Sequence, residues 1–346
     1  MDNKIKVLIV DDAAFMRKTI RKILETDSRF AIIGTAKNGQ EAVKMNDELL
    51  PDVITLDVDM PVMDGITALK HMMVHRPVPV VIVSSLSYET NVTFEAFRLN
   101  IIDFIPKPAG AISQELEKQK NYLCDTVSKA AEVGSLKLHR VAVARALATK
   151  DPNPLPASNL VIIGSSLGGP NTLIRILAMV PARINFAIVA TIQISSKVMD
   201  SFIQKLDNVS HLKIAKGRNG TVLYNGAVYL HSLDQPAPTI ATNNAGQHIL
   251  EYPSTNRSEN AIDNLMTSGT KFDKLKLGGV LLSGIGRDGV KGLAQIHAKS
   301  GKTIAQKAAN AIYPEKPRLA IQEGAYRYAL NDYEIADQMI TMMSPL

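Results

Sequence analysis

The first third of the chain places acidic residues directly after short apolar runs. Asp11 and Asp12 follow the run that ends at Val10, and Asp57 follows the run Val53–Leu56. If these runs are parallel strands, the carboxylates meet at one sheet edge and repel one another unless a hard divalent cation neutralises them. Mg²⁺ suits such a cleft because it binds few carboxylates together with water and phosphate oxygens. The pattern therefore predicts a Mg²⁺-dependent site for phosphoryl transfer.

A hydroxyl and an amine accompany two further apolar runs. Ser84 ends the fourth run, and Lys107 follows the fifth run, which contains Phe104. A lysine and a hydroxyl beside carboxylates can bind the remaining oxygens of a phosphoryl group. One acidic residue at a strand end is commonplace, but five polar residues that occur in order at the ends of the first, third, fourth and fifth runs are not. We expect them to form one site.

The second half of the chain contains a serine in a glycine-rich turn. Ser166 lies in Gly164–Gly169, between an apolar run and a helical stretch after Pro170. Such a turn exposes a side chain and directs backbone N–H groups outward, which suits a nucleophile beside an oxyanion hole. Phosphate-binding turns and simple tight turns share the pattern. A second turn, Ser283–Gly289, also follows an apolar run and would place Asp288 at the same sheet edge.

Alternating strands and helices are needed to bring these residues together. Short apolar runs predict the strands, and apolar residues that recur at helical spacing predict the helices. The first five predicted strands are Lys6–Val10, Ala31–Gly34, Val53–Leu56, Val80–Val83 and Ile101–Ile105, followed by a helix over Gln114–Val133. The second set comprises Leu160–Ile163, Ala187–Ile192, Leu212–Ala215, Val228–Leu230 and Gly279–Leu282, and Gly301 is predicted to open a further helix. The prediction is α/β, with two doubly wound parallel sheets whose sites lie at the strand carboxyl ends.

Length and local composition divide the chain. A chain of 346 residues is too long for one ordinary core. Between the two alternating patterns lies a basic segment that ends with three prolines in residues 152–156, and such a run cannot continue a helix or a central strand. We predict domains at residues 1–123 and 158–346, joined by residues 124–157, which contain the end of a helix and the linker.

Charge and cysteine content limit the class of protein. The net charge of +6, from 39 basic and 33 acidic residues, is a small excess that does not favour nucleic-acid binding. The second domain also lacks a helix-turn-helix pattern. The single cysteine, Cys124, fits a reducing compartment. No apolar run approaches the roughly 20 residues that span a bilayer. We expect a cytoplasmic protein without direct membrane insertion.

The acidic constellation resembles the response-regulator receiver domain. This resemblance implies a flavodoxin-like fold in which a histidine kinase phosphorylates Asp57. Asp11 and Asp12 would form the acidic pocket, and Mg²⁺ would be held there by Asp12, Asp57 and the main-chain carbonyl of Asp59. The resemblance also implies a switch hydroxyl, a switch aromatic residue and a phosphate-sensing lysine, which are Ser84, Phe104 and Lys107.

The serine and aspartate motifs, behind a receiver, resemble the CheB-type chemotaxis protein-glutamate methylesterases over nearly the whole chain. The resemblance implies a Rossmann-like second domain that hydrolyses glutamate methyl esters and deamidates glutamines on helical chemoreceptors. Ser166 would be the nucleophile, and Asp288 would orient the base. In that family the second strand of this domain ends in Gln-His, and the histidine is the base. Here the strand ends in Gln193-Ile194.

The catalytic motifs depart from the family at neighbouring positions as well. Leu167 stands where a threonine usually follows the nucleophile, and Ile285 stands where methionine is usual. Isoleucine at 194 cannot accept a proton, and loss of one triad member costs about 10⁴ to 10⁶ in turnover. We therefore predict a phosphorylation-dependent, receptor-binding regulator with little or no esterase activity. The alternative is an active methylesterase and deamidase in which His231 substitutes as the base.

Overall fold

The chain forms two compact units. The computed structural model describes residues 4–85, 91–107, 120–133, 150–151, 154–253 and 259–344. One unit comprises Met1–Val141 and the other Ala142–Leu346. Most of the predicted linker lies outside the described residues. Within those ranges, no helix is both long enough and apolar enough to cross a bilayer.

The N-terminal unit contains a five-stranded sheet with helices between the strands. Its strands are β1 (Ile5–Val10), β2 (Phe30–Ala36), β3 (Val53–Leu56), β4 (Val80–Ser84) and β5 (Asp103–Pro106). Its described helices are α1 (Ala14–Glu25), α2 (Gly39–Leu49), α3 (Gly65–His75), α4 (Asn91–Arg98) and α5 (Lys120–Ala131). The order is β2-β1-β3-β4-β5, with every pair parallel, which confirms the predicted doubly wound sheet. Residues 114–119 of the last predicted helix lie outside the described part.

Apolar strands and amphipathic helices account for this architecture. The segment 7–10 of β1 is fully buried, as expected for a strand covered by helices on both faces. In α1, Met16, Ile20 and Leu24 recur at helical spacing and are buried. Asp64 caps the start of α3, where its carboxylate accepts hydrogen bonds from the N–H and the hydroxyl of Thr67 at 2.8 and 2.7 Å.

The C-terminal unit contains a seven-stranded parallel sheet and a small antiparallel one. Its strands are β6 (Asn159–Gly164), β7 (Ala187–Ile192), β8 (Lys213–Lys216), β9 (Thr221–Val222), β10 (Ala227–Ser232), β11 (Thr239–Thr242), β12 (His248–Glu251), β13 (Lys276–Leu281), β14 (Lys302–Gln306) and β15 (Tyr328–Leu330). Its described helices are α6 (Gly169–Met179), α7 (Ser196–Val209), α8 (Ala261–Gly269), α9 (Val290–Ala298), α10 (Glu315–Gln322) and α11 (Asp332–Met343). The parallel order β15-β14-β13-β6-β7-β10-β8 confirms the second predicted α/β domain.

The strand order of the large sheet reverses beside β6. The strand that follows it in sequence, β7, lies on one side, and β13 lies on the other. The loops that leave β6 and β13 therefore flank one crevice. Ligands of open α/β sheets bind at such switch points. The two predicted turns, Gly164–Gly169 and Ser283–Gly289, are the loops at this crevice.

Two features of this unit differ from the sequence-based prediction. The prediction that Gly301 opens a helix is wrong, because β14 follows it and pairs with β13 through the buried residues Thr303 and Ile304. β-Branched side chains favour extended backbone. The antiparallel sheet β11-β12-β9 was not predicted, since its short strands are only partly buried and contain polar residues, so they form no continuous apolar run.

Candidate functional site

The first site lies at the carboxyl edge of the N-terminal sheet. Val10 of β1 pairs with Leu56 of β3, so the next residues, Asp11 and Asp57, leave the sheet side by side. Carboxylate oxygens of Asp11, Asp12 and Asp57 lie within 4.8 Å of one another. Asp11 and Asp57 are buried, whereas Asp12 is exposed. The sheet brings the three predicted carboxylates into one cleft.

Three donors hold the carboxylate of Asp57. Its Oδ1 accepts hydrogen bonds from the Ser84 hydroxyl at 2.6 Å and from the Val58 N–H at 2.7 Å. Its Oδ2 accepts a hydrogen bond from the Lys107 ammonium group at 2.9 Å. The Lys107 N–H also donates to the Ser84 carbonyl at 2.5 Å, which ties the ends of β4 and β5 together. The predicted hydroxyl and lysine therefore both reach Asp57.

Lys107 partly balances the buried negative charge. Its Nζ lies 2.5 Å from the Asp11 Oδ2. Burial disfavours the charged amine, yet its hydrogen bonds to Asp11 and Asp57 outweigh this and raise the pKa of Lys107. Burial raises the pKa of the Asp11 carboxyl, although Lys107 opposes the shift. One lysine among three carboxylates leaves excess negative charge, and an oxygen-seeking divalent cation would relieve it. The residues present therefore fit Mg²⁺.

Neighbouring backbone shapes the rest of this cleft. Only glycine fits at position 65, because a Cβ there would overlap the Asp57 carbonyl. Asp59 is largely exposed. Partial desolvation of its carboxyl group, together with the negative charge of Asp57, raises its pKa. Phe104 is buried in β5. The roles of the Asp59 carbonyl as a metal ligand and of Phe104 as the switch aromatic residue stay predictions.

The second site lies at the switch point of the C-terminal sheet. Ser283 joins the two loops there, since its carbonyl accepts from the Ser166 N–H at 3.1 Å and its hydroxyl donates to the Leu167 carbonyl at 2.9 Å. Gly168 follows with a φ of 71°, a left-handed conformation that favours glycine, and α6 begins after it. The turn around Ser166 is a fixed strand-to-helix connection, as expected of a nucleophile loop.

The Ser166 hydroxyl faces the second loop. Its Oγ accepts a hydrogen bond from the Ile285 N–H at 2.9 Å, and only 6% of the residue is exposed. Position 284 requires glycine, because a Cβ there would overlap the Ser166 Oγ. Among the residues that the structure describes, none supplies an imidazole hydrogen bond to this hydroxyl.

The Asp288 carboxylate binds the start of a helix. Its oxygens accept hydrogen bonds from the Ile262 N–H at 3.1 Å and the Asp263 N–H at 2.9 Å, in the first turn of α8. A carboxylate at this position satisfies free N–H donors and complements the helix dipole. Asp288 therefore has a structural partner, and its role in orienting a base stays a prediction.

Ile194 lies buried in the loop that follows β7. The end of β10 holds this loop in place. The Ser232 hydroxyl donates to the Ile194 carbonyl at 2.5 Å, and the Asp234 carboxylate accepts from the Ser196 N–H at 2.8 Å. The loop that carries the base in the family is thus held by hydrogen bonds here, although the side chain at position 194 is apolar.

His231, the predicted substitute base, is a buried residue of β10. It pairs with Thr191 of β7, which pairs with Gly164 of β6, so two strand spacings, about 10 Å, separate its backbone from that of Gly164. Its ring centroid lies 5.5 Å from that of Tyr252. Burial lowers the pKa of His231 to about 4. The ring is a packed, neutral imidazole, and no described contact joins it to Ser166.

A receiver-type sheet with an acidic cleft, followed by an α/β unit with a serine turn, is the architecture of a response regulator with an effector domain. The family model described as "Response regulator receiver domain" matches residues 7–118, and that described as "CheB methylesterase" matches residues 161–339. The chain belongs to the CheB methylesterase family.

Two relatives that match over nearly their full length support this assignment. The protein-glutamate methylesterase/protein-glutamine glutaminase of Pyrococcus horikoshii is 33% identical over 347 residues, which cover 98% of this chain and 94% of the relative. The protein of that name from Thermotoga maritima is 33% identical over 345 residues, with 99% of both chains covered.

The crystal structure of the Thermotoga maritima CheB methylesterase catalytic domain is 26% identical, with a TM-score of 0.49, and covers 53% of this chain and 97% of that domain. The crystal structure of the Thermotoga maritima CheB response regulator domain is 42% identical, with a TM-score of 0.36. The match covers 38% of this chain and 99% of that domain.

Lys316, which was not predicted from the sequence as a site residue, lies at the second site. Lys316 is 1% exposed, and its Nζ donates a hydrogen bond to the Asp288 carbonyl. In the sequence it lies between Glu315 and Pro317 at the start of α10, where a lysine is ordinarily expected to be exposed. No local pattern distinguishes it, because its burial depends on packing against the loop after β13.

The buried imidazole of His231 predicts a loss of stability in acid. Its folded pKa of about 4 lies below the ordinary 6.5, so the unfolded chain binds a proton first as the pH falls. The stabilising effect of the neutral ring is complete above pH 6.5 and is lost between 6.5 and 4. Over this range His231 should lower the free energy of unfolding by on the order of 3 kcal/mol.

Chemical unfolding of His231→Leu at several pH values measures this effect. We expect a shallower loss of stability below pH 6.5 than in the unsubstituted protein. Replacement of the exposed His297 by leucine serves as the control. Identical acid dependence in His231→Leu and the unsubstituted protein would contradict the assignment of a buried, neutral ring.

Proposed function

We propose that this chain is a phosphorylation-controlled response regulator of a chemotaxis-type two-component pathway, acting in the cytoplasm. A histidine kinase would phosphorylate Asp57, and the C-terminal unit would bind glutamyl side chains of a chemoreceptor helical bundle. The observation that carries the proposal is the acidic cleft around Asp57, in a chain whose serine turn has no histidine partner among the described residues. Full-length similarity to protein-glutamate methylesterases supports the receptor as the partner.

The residues of the receiver suit phosphoryl transfer from a phosphohistidine. An oxygen of Asp57 would form the new P–O bond while the P–N bond breaks, and the electron pair of that bond stays on the imidazole. Ser84 and Lys107, which now bind the Asp57 carboxylate, would bind the phosphoryl oxygens instead. Asp11, Asp12 and Asp57 would hold Mg²⁺, and the bound ion would screen the negative charges that meet during transfer.

Phosphorylation would act on the effector through the positions of these two partners. Ser84 ends β4 and Lys107 follows β5, so a shift of their hydrogen bonds from carboxylate to phosphoryl oxygens would move both strand ends. Such differential contacts change the populations of conformations rather than create new ones. Phe104 is buried in β5, close in sequence to Lys107. A movement of the end of β5 would change its packing and so alter the surface of the unit.

In the part of the effector unit that the structure describes, no histidine contacts the serine of the glycine-rich turn. Ile194 occupies the base position, and the Asp288 carboxylate binds the first turn of α8. A serine hydroxyl without a base stays a weak nucleophile. Loss of the histidine alone would lower turnover by about 10⁴ to 10⁶. We therefore propose receptor binding with little esterase turnover at neutral pH, as in a pseudoenzyme.

An active methylesterase that uses His231 is the second candidate. The ring of His231 is neutral at pH 7, as a base must be. A group with a pKa of about 4 is nevertheless a weak base, and its packing against Tyr252 favours a structural role. If this candidate is correct, His231→Gln abolishes methanol release from methylated receptors; the leading proposal expects no effect of this substitution.

Phosphorylation of the full chain by a small phosphodonor tests the receiver. With Mg²⁺ present, we expect one phosphoryl group per chain, lost in Asp57→Asn because the amide cannot form the acyl phosphate. The exposed Asp47 of α2 provides the matched control, Asp47→Asn, which should accept phosphate normally. Removal of Mg²⁺ with EDTA should stop the reaction. Phosphorylation of Asp57→Asn at the rate of the unsubstituted chain would show that the acceptor lies elsewhere.

Binding to a methylated chemoreceptor fragment tests the effector. We expect the affinity of the full chain for the fragment to differ at least about tenfold between the phosphorylated and unphosphorylated states, which is about 1.4 kcal/mol. Ser166→Ala should bind equally well, because removal of a hydroxyl leaves the crevice intact. Equal affinity in both states, or no binding in either, would overturn the proposal.

A further inference from the structure

A buried lysine lies beside Ser166, whose hydroxyl has no histidine partner among the described residues. Lys316 is 1% exposed, and its N–H ties the start of α10 to the loop Ser283–Gly289 by donating to the Gly284 carbonyl at 2.9 Å. A Cβ placed on Gly284 would overlap the Ser166 Oγ and would lie 2.9 Å from the Lys316 Cε. The end of the lysine and the serine hydroxyl are therefore neighbours across one methyl-sized gap.

We infer that the Lys316 amine is the proton acceptor for Ser166, so that the site contains a serine–lysine pair in place of a serine–histidine pair. This inference rests on the proposed recognition of glutamyl side chains and adds a slow, histidine-independent reaction to it. Lysine serves as a base for serine nucleophiles when burial keeps part of it uncharged.

The surroundings of Lys316 favour the neutral amine. Burial lowers its pKa below that of an exposed lysine, against the opposing charges of Asp288, Asp263 and Glu315. In the free protein the amine donates to the Asp288 carbonyl, and rotation about its terminal bonds would bring it to Ser166. Hydrogen bonds of catalytic groups are often loose in free enzymes and tighten when substrate binds.

The reaction balances with residues of this chain and water. The neutral Lys316 amine takes the Ser166 proton as Oγ forms a bond to the glutamyl ester carbon, and the carbonyl electron pair moves to oxygen. When this pair returns, the C–OCH₃ bond breaks, and the lysine ammonium protonates the leaving oxygen to give methanol. In the second half, the amine takes a proton from water, hydroxide adds to the acyl carbon, and the C–Oγ bond breaks. Lys316 then returns a proton to Ser166, and glutamate is released.

This pair predicts a pH dependence unlike that of a histidine base. An unperturbed histidine, with a pKa of about 6.5, is already mostly neutral at pH 7. The reactivity of Ser166 should instead rise through the pKa of Lys316, which lies below the roughly 10.4 of an exposed lysine. Turnover at neutral pH would stay low, in keeping with the proposed function.

Labelling of the full chain with a fluorophosphonate tests the inference, with the modified Ser166 peptide quantified by mass spectrometry between pH 6 and 10. Lys316→Met keeps an unbranched side chain without an amine, and Lys316→Arg keeps the charge but cannot become neutral. We expect both to lower the labelling rate at pH 9 by about 100-fold, because general-base catalysis contributes at least this factor. Lys291→Met, at an exposed lysine of α9, is the control and should label normally. Thermal unfolding establishes that each variant is folded.

Labelling of Ser166 at the unsubstituted rate in either folded Lys316 variant would overturn the inference. A pH profile with a midpoint near 6.5, as a histidine would give, would also overturn it. Receptor binding is measured on the same samples, which separates the two claims. Labelling that depends on Lys316, without receptor binding, supports the serine–lysine pair and refutes the proposed function. Receptor binding with labelling that does not depend on Lys316 supports the proposed function and refutes the pair.

Discussion

Both sites depend on the pairing of parallel strands, which brings residues that follow different strands to one edge of a sheet. In the N-terminal unit the pairing of Val10 with Leu56 sets Asp11 beside Asp57. In the C-terminal unit the adjacency of β6 and β13 sets the Ser166 turn against the loop that contains Asp288. The hydrogen bonds of Asp57 and of Ser166 are built on this placement.

The two edges differ in how their charges and protons are matched. In the receiver, a buried lysine and a hydroxyl complement Asp57, and the excess carboxylate suits a divalent cation. In the effector, the Ser166 hydroxyl is well placed, but Ile194 offers no lone pair and the Asp288 carboxylate is engaged by a helix. The carboxylate cleft and the serine turn are therefore separate sites in different units of this chain, and the buried Lys316 side chain lies beside the serine turn.

Much of the fold could be predicted from sequence because strands covered on both faces are continuous apolar runs, as at β1 and β7. The acidic cleft was predictable too, since each of its residues ends such a run or lies within two residues of its end. The prediction of a helix after Gly301 was wrong because a glycine before a helix and a glycine before a strand give the same local sequence pattern. Lys316 could not be found, because its burial arises from contacts with a loop about 30 residues earlier in the chain. The clash at Gly284 likewise exists only in three dimensions.

Methanol release from a methylated chemoreceptor at pH 7, by the phosphorylated full chain and by Ile194→His, tests the central claim most directly. The account predicts release close to the Ser166→Ala background for the unsubstituted chain. It predicts at least about a tenfold increase for Ile194→His, because a histidine there would supply the missing base. Release by the unsubstituted chain at the rate of an ordinary enzyme, about 10 per second, would contradict it.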